Sequence, residues 1–287
     1  MARQTVIGPV LVIHGGTGRR PDGKRLARLR RSLRAVAEEA YAHLRAHSAL
    51  ESVVFAVQRL EDDPLFNAGT GSVLQRDGTV RMSASVMDGA RQRFAAVLNI
   101  ERVRYPIAVA HALLDEDDRV LAGTGATRFA RSHGIPPWDP VTALRRRQWE
   151  RRLRDPSSRG TVGAVALDRA GRLAAATSTG GKGCERVGRV SDSGLPAGNY
   201  ANRQAAISCT GLGEDIMDEG LAVRIAQQVS DGSSLARACT RTFRELSARR
   251  RYAGAIALDQ RGRWVWATTL PTIFAVAQTA ARRVESF

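Results

Sequence analysis

Two stretches of this chain are nearly copies of one another. Gly163-Ala164-Val165-Ala166-Leu167-Asp168 and Gly254-Ala255-Ile256-Ala257-Leu258-Asp259 each run through small and β-branched residues into a turn. The turns are Asp168-Arg169-Ala170-Gly171 and Asp259-Gln260-Arg261-Gly262, with Asp first and Gly last in both. A second apolar run follows each turn, Leu173–Ser178 and Trp264–Thr268, so both units read as β-hairpins. Strands with so few polar residues belong in an interior. Copies so far apart in the chain argue for two similar hairpins in stacked sheets rather than for a solenoid. A third hairpin is predicted where Ser72–Leu74 and Val80–Ala84 flank Asp77-Gly78.

Around these strands the apolar period is helical. A densely basic stretch from Arg19 to Arg34 passes into Leu33, Val36, Ala37 and Ala40, and a second helix over 49–60 carries Val53, Val54, Ala56 and Val57. Helices are also expected over 106–114 and 126–132, with Gly123-Thr124-Gly125 and Ile135-Pro136-Pro137-Trp138-Asp139-Pro140 as breaks. Val141 to Arg159 holds seven arginines and few apolar residues, and reads as a frayed, exposed tail. One amphipathic helix is predicted from Asp215 to Val229, its acidic start suiting the helix dipole. Another covers Ser234 to Arg249, with Ser233 or Ser234 as its cap.

Composition narrows the function. With 287 residues the chain can bury a sizeable core in one large domain or two small ones. No apolar run reaches the ~18 residues that a membrane span needs. Met1 to Thr5 leads into a short apolar strand without a signal-peptide core, so a cytoplasmic location is expected. The three cysteines, Cys184, Cys209 and Cys239, show neither a disulfide framework nor zinc-ligand spacing. A net charge of +16 raises nucleic acid as a partner, but all basic residues except Lys24 and Lys182 are arginines, which points to a compositional bias. Aromatic residues make up only 5%, leaving few stacking platforms, so no specific nucleic-acid partner is expected.

Several chemical motifs fail on inspection. Thr179-Gly180-Gly181-Lys182-Gly183 approaches a phosphate loop, but the required first Gly and final hydroxyl fall on Ala176 and Gly183. His43 and His47 stand one helical turn apart with no Glu beside them, and Asp62-Asp63-Pro64 lacks an EF-hand pattern. His14-Gly15-Gly16-Thr17-Gly18 reads as a strand running into a glycine turn. Gly160-Thr161 stands between an arginine-rich loop and a buried strand, where taken alone Thr161 reads as an ordinary residue opening a strand. A Thr hydroxyl is a weak nucleophile without an adjacent base. Were the Gly160–Thr161 bond cut, the new α-amino group of Thr161 would be that base, with a pKa of about 7.7–8.0.

Gly160 to Asp168, with Ala174-Ala175-Ala176-Thr177-Ser178-Thr179-Gly180-Gly181, closely resembles the isoaspartyl peptidase/L-asparaginase family of N-terminal-nucleophile hydrolases. The likeness recurs in order at His14–Gly18, Leu60–Gly69, Met87-Asp88-Gly89, Gly188–Ser193 and Ser208–Glu214. It implies a single domain over 1–287 with an αββα sandwich, two stacked antiparallel sheets between helical layers. It also implies a precursor that cuts itself into an α chain, 1–160, and a β chain, 161–287, with two such pairs forming a dimer. The activity implied is hydrolysis of β-aspartyl peptides and L-asparagine, with a small-molecule or dipeptide substrate, no membrane partner and no cofactor needed for chemistry.

On that resemblance Thr161 is nucleophile and base, and Thr179 tunes it. Thr210 and Gly211 form the oxyanion hole, Arg189 grips the substrate α-carboxylate, and Asp192 with the Gly213 carbonyl holds its α-amino group. Asn67 lies beside the site. A structural sodium ion is implied on backbone carbonyls of Leu60, Glu61, Phe66, Ala68 and Thr70. The chain departs from the family pattern at Ser191 and Gly194 (usually Gly and Pro), at Leu212 (commonly Thr) and at Ser83 (commonly acidic). The alternatives are a glycosylasparaginase-like threonine amidase and an uncleaved, inactive homologue acting as a basic binding protein.

Overall fold

In the computed structural model, which describes residues 8–151 and 160–287, the two near-copies fold as the expected hairpins. One joins β5 (Val162–Leu167) to β6 (Leu173–Thr179), the other β9 (Ala253–Asp259) to β10 (Trp264–Thr268). Their alternation explains the repeat. Val165 and Leu167 from one and Ile256 and Leu258 from the other meet in a single apolar cluster. The small Ala164 and Ala166, or Ala255 and Ala257, turn the opposite way, into clusters shared with helices. Side chains two apart on a strand share a face, so one six-residue pattern serves two interfaces at once. The turns match as well. Asp168 accepts the amides of Ala170 and Arg172 and the Arg172 Nε, and Asp259 does the same with Arg261 and Arg263.

The remaining strands are β1 (Val10–Gly18), β2 (Met82–Asp88), β3 (Arg93–Ile100), β4 (Val120–Ala122), β7 (Asn199–Ala201), β8 (Ala205–Gly211), β11 (Thr272–Gln278) and β12 (Arg283–Ser286). They complete an eight-stranded sheet, β12-β11-β1-β5-β6-β2-β3-β4, and a four-stranded one, β10-β9-β8-β7. Among the described residues all pairings are antiparallel except β3 with β4, which is parallel and departs from the expectation. Against the larger sheet lie α1 (Gly23–Leu44), α2 (Ala49–Asp62) and α3 (Pro106–Ala112). Asp22 caps α1, and a Ser48/Glu51 capping box starts α2. Against the smaller sheet lie α7 (Leu221–Ser230) and α8 (Leu235–Ala248), the latter capped by Ser234 as read from the sequence. No described helix is long and apolar enough to cross a membrane.

Four local expectations need correction. The Asp77-Gly78 turn forms, with the Gly78 amide on the Gln75 carbonyl, but Ser72–Leu74 is not a strand and pairing begins only at Met82. Gly123 and Gly125 open helix α4 (Gly123–Ser132) instead of breaking it. The single helix expected over 215–229 is two, α6 (Gly213–Glu219) and α7, divided at Gly220 with φ of 54°. The stretch read as a frayed tail contains α5 (Ala143–Glu150), capped by Thr142. There Arg145 is buried and donates from Nε to the Gly71 carbonyl at 2.7 Å, which its basic surroundings concealed. The rest of that stretch, 152–159, and the N-terminal residues 1–7 lie outside the described residues.

The two sheets are joined by more than apolar contact. His14 on β1 meets Ser208 on β8 through Nε2 and Oγ at 2.9 Å. Ser208 Oγ meets Thr177 Oγ1 on β6 at 2.7 Å, and Thr177 donates to Asn199 Oδ1 on β7 at 3.0 Å. Gly163 lies beneath this network. A Cβ there would stand 1.9 Å from Ser208 Oγ and 2.5 Å from His14 Nε2. Gly163→Ala is therefore expected to separate the sheets locally and destabilise the fold by roughly 1–3 kcal/mol, read as a lowered denaturation midpoint.

Candidate active site

Thr161 immediately precedes β5, whose register with β6 sets Val162 opposite Ser178 and so brings Thr161 to the level of Thr179. Thr161 is buried, and its Oγ1 donates to Thr179 Oγ1 at 3.5 Å. Thr179 Oγ1 also accepts the Gly181 amide at 3.2 Å. Asn67 secures this corner from the loop after α2. Its carbonyl accepts the Gly180 amide at 2.9 Å, its Nδ2 donates to the Gly181 carbonyl at 2.6 Å, and its Oδ1 accepts the Val73 amide at 2.9 Å. Gly160 lies beside Asn67, and a Cβ there would meet nothing closer than 3.6 Å.

The opposite wall comes from the smaller sheet. Thr210 and Gly211 end β8, and Thr210 is fully buried with no partner for its Oγ1 among the described residues. Gly211 has φ of 141°, and a Cβ there would lie 2.6 Å from the Tyr252 carbonyl, so only glycine fits. Between the walls runs the loop from β6 to β7. On it Arg189 directs Nε and Nη2 at the two carboxylate oxygens of Glu214, at 3.2 and 3.0 Å. Asp192 is 2% exposed. One of its oxygens accepts from Ser191 Oγ at 3.0 Å, and Oδ2 has no partner among the described residues. Gly213 sits against both, with its Cβ position 2.7 Å from Arg189 Nη2 and 2.8 Å from Asp192 Oδ1. Gly160, Thr161, Thr179, Arg189, Asp192 and Gly211 all line one cleft of about 720 Å³, as does Gly213.

The two carboxyls of the clamp are shifted in opposite directions. Burial pushes the Asp192 carboxyl up to about 6, against the opposing pull of Ser191 and Arg189. Burial acts on Glu214 in the same direction, but hydrogen bonds from Lys182 and Arg189 outweigh it and hold that carboxyl down at about 2. His14 is fully buried, and burial lowers its pKa to about 3. The Gly16 amide points at His14 Nδ1 at 3.4 Å, which leaves Nε2 as the donor towards Ser208.

The sequence reading took His14 as part of a turn motif and missed this supporting position. It also missed the side chain of Glu61. That carboxyl is fully buried, accepts from Ser178 Oγ at 2.6 Å and from the Ile107 amide at 3.1 Å, and is raised well above the usual carboxylate range by burial. The Ser191 hydroxyl on Asp192 and the Lys182–Glu214 pair at 2.7 Å likewise became visible only in three dimensions.

The loop holding Leu60, Glu61, Phe66, Ala68 and Thr70 lies behind Asn67 rather than in the cleft. It closes on itself, with the Thr70 amide on the Glu61 carbonyl at 2.7 Å and the Ser72 amide on the Gly69 carbonyl at 3.3 Å. No group of three or more His, Cys, Asp or Glu among the described residues could hold a metal ion.

Comparison with known proteins gives one consistent result. The family described as asparaginase matches residues 7–286. The chain is 46% identical to an isoaspartyl peptidase/L-asparaginase of Synechocystis sp., over 94% of this chain and 88% of that protein. It is 48% identical to an isoaspartyl peptidase/L-asparaginase of Nostoc sp., over 94% and 91% respectively. A plant-type L-asparaginase of Pyrococcus furiosus is 41% identical, over 71% of this chain and 74% of that protein.

The raised Asp192 carboxyl makes a pH prediction. If Asp192 receives the α-ammonium of an amino acid, as the resemblance implies, only its ionised form attracts that group, and affinity for L-aspartate should be full near about pH 8 and fall as pH drops through about 6. Asp192→Asn should bind weakly and lose this acid limb. Isothermal titration calorimetry over that range is the check, and a flat wild-type profile would contradict it.

Proposed function

The chain belongs to the asparaginase family, and from that premise we propose that it is a self-cleaving threonine amidohydrolase, releasing L-aspartate from β-aspartyl peptides and L-asparagine. One observation carries the reading at the level of residues. Thr161 shares a cleft with Asp192, whose Oδ2 has no described partner, and the cleft wall at Gly211 adjoins Thr210, whose Oγ1 has none either. Unpartnered buried polar atoms are costly, and a bound substrate would satisfy both. The two sheets with their flanking helices are read as the αββα sandwich of N-terminal-nucleophile hydrolases, and the assembly as a cytoplasmic dimer of cleaved αβ pairs. A sodium ion on the carbonyls of Leu60, Glu61, Phe66, Ala68 and Thr70 would stiffen the loop that presents Asn67.

The chemistry runs in two stages. In the continuous chain Thr161 Oγ attacks the Gly160 carbonyl carbon, the acyl group passes from nitrogen to oxygen, and water hydrolyses the resulting ester. The products are a Gly160 carboxylate and a free Thr161 amine. That amine then takes the proton of Thr161 Oγ as the hydroxyl attacks the side-chain carbonyl of the substrate. Thr210 Oγ–H and the Gly211 N–H stabilise the oxyanion, and Thr179 orients the nucleophile. Arg189 receives the substrate α-carboxylate, for which Glu214 keeps its fork oriented. Asp192 Oδ2 and the Gly213 carbonyl receive the α-ammonium. The leaving amine departs with a proton, and water hydrolyses the acyl-enzyme to free L-aspartate.

The purified protein is expected to run as two chains under denaturing conditions, the smaller beginning at Thr161. Thr161→Ala should remain one chain and hydrolyse nothing, while Thr161→Ser could still cleave slowly. N-terminal sequencing alongside activity over one time course tests this. Full activity in a chain still intact at Gly160–Thr161 would sink the mechanism.

A further inference from the structure

The aspartyl clamp and the oxyanion hole use only part of the cleft. At about 720 Å³ it falls in the range of pockets that enclose ligands larger than one amino acid. The wall formed by Lys182 to Gly188, with Arg76 beside it, has no role in the chemistry described so far. Glu185 is 5% exposed, lines the cleft, and carries an Oε2 with no partner among the described residues. Arg76 is stapled to the same wall. Its amide donates to the Glu185 carbonyl at 3.1 Å and its Nε to the Cys184 carbonyl at 3.3 Å, which anchors the guanidinium base and leaves its terminal nitrogens over. Arg186 lines the cleft as well. Neither arginine makes an ion pair among the described residues, whereas Lys182 and Arg189 are both engaged by Glu214.

We propose that Arg76, Arg186 and Glu185 form a second amino-acid subsite, which holds the leaving residue of a β-aspartyl dipeptide. The assignment rests on the function proposed above and narrows its substrate class. The arginines take the free α-carboxylate of the leaving residue. Glu185 Oε2 accepts from the nitrogen that becomes that residue's α-amine when the bond breaks. Cations beside an unpartnered buried acceptor complement a free carboxylate next to an N–H donor, which is what the leaving residue presents. Burial raises the Glu185 carboxyl, offset in part by its own backbone amide and by Arg189 and Lys182, so an N–H donor arriving at the unpartnered Oε2 relieves an existing cost. Substrates ending in a free carboxylate one residue after the β-aspartyl bond are thereby preferred over extended or amidated ones.

The test compares L-asparagine, β-aspartyl-alanine and β-aspartyl-alanine amide on the self-cleaved protein. For the wild type, kcat/KM should favour the free dipeptide over its amide by about ten-fold, the range of one charge-assisted contact. Arg76→Gln/Arg186→Gln should erase that ratio through KM, with kcat/KM for L-asparagine moving less than about two-fold. Glu185→Gln should slow both dipeptides relative to L-asparagine. Equal wild-type kcat/KM for the free and amidated dipeptides overturns the subsite, and this comparison needs no variant to fold. A cleaved protein that hydrolyses none of the three overturns the proposed function itself, and the subsite with it.

Discussion

The hydrogen bond between His14 and Ser208 governs the geometry of the cleft, because the two walls belong to different sheets. Thr161 and Thr179 stand on the larger sheet, Thr210 and Gly211 on the smaller. The cluster of Val165, Leu167, Ile256 and Leu258 presses the sheets together, but apolar contact is non-directional and tolerates small slides. The chain His14–Ser208–Thr177–Asn199 does not, since each bond fixes a distance and an angle. His14 stands opposite Gly163 in the register of β1 with β5, two residues from Thr161, so the element that sets the spacing between sheets lies beside the nucleophile as well. With its pKa lowered to about 3 by burial, His14 stays neutral near pH 7, and the link is indifferent to ordinary changes of pH.

Charge in the cleft is arranged around Glu214. At the start of α6 it answers Lys182 and Arg189 together, crossing from the loop after β6 to the smaller sheet's side. Half-exposed, its pairs are screened and contribute modestly to stability. Their main effect is on orientation, since a free guanidinium would sample many rotamers before meeting a carboxylate. Asp192 receives no such support. Its Oδ2 lacks a described partner and its carboxyl is raised to about 6, so a positive group brought to it would be stabilising.

Much of this was legible in the sequence, for identifiable reasons. The two hairpins could be read because one pattern, Gly-Ala-β-branched-Ala-Leu-Asp, must satisfy a sheet interface on one face and a helix on the other. Thr161, Thr179, Arg189, Asp192 and Gly213 were picked out from motif order, and the fold gathers them in one cleft. What the sequence hid were residues whose meaning depends on distant partners. Arg145 is one more arginine in a basic run until the Gly71 carbonyl is seen beneath it. Glu61 sits in an acidic cluster, and nothing local shows that its carboxyl is sealed against Ser178. The break at Gly220 was missed because the apolar period continues on both sides of it, whereas a left-handed φ leaves no trace in that period.

The order of strands in the larger sheet carries one more consequence. Read across it, β12 and β11 come from beyond residue 161, β1 from before it, β5 and β6 from beyond, and β2, β3 and β4 from before. A cut at Gly160–Thr161 would therefore leave two polypeptides interleaved like the fingers of clasped hands, with β1 bonded on both edges to the other chain. Neither could leave without unzipping the sheet. The same cut would turn refolding from a unimolecular event into an encounter between two molecules, whose rate depends on dilution. Once unfolded at low concentration, the mature enzyme would return far less readily than its precursor. Its persistence would rest on the height of the unfolding barrier more than on the depth of the native minimum.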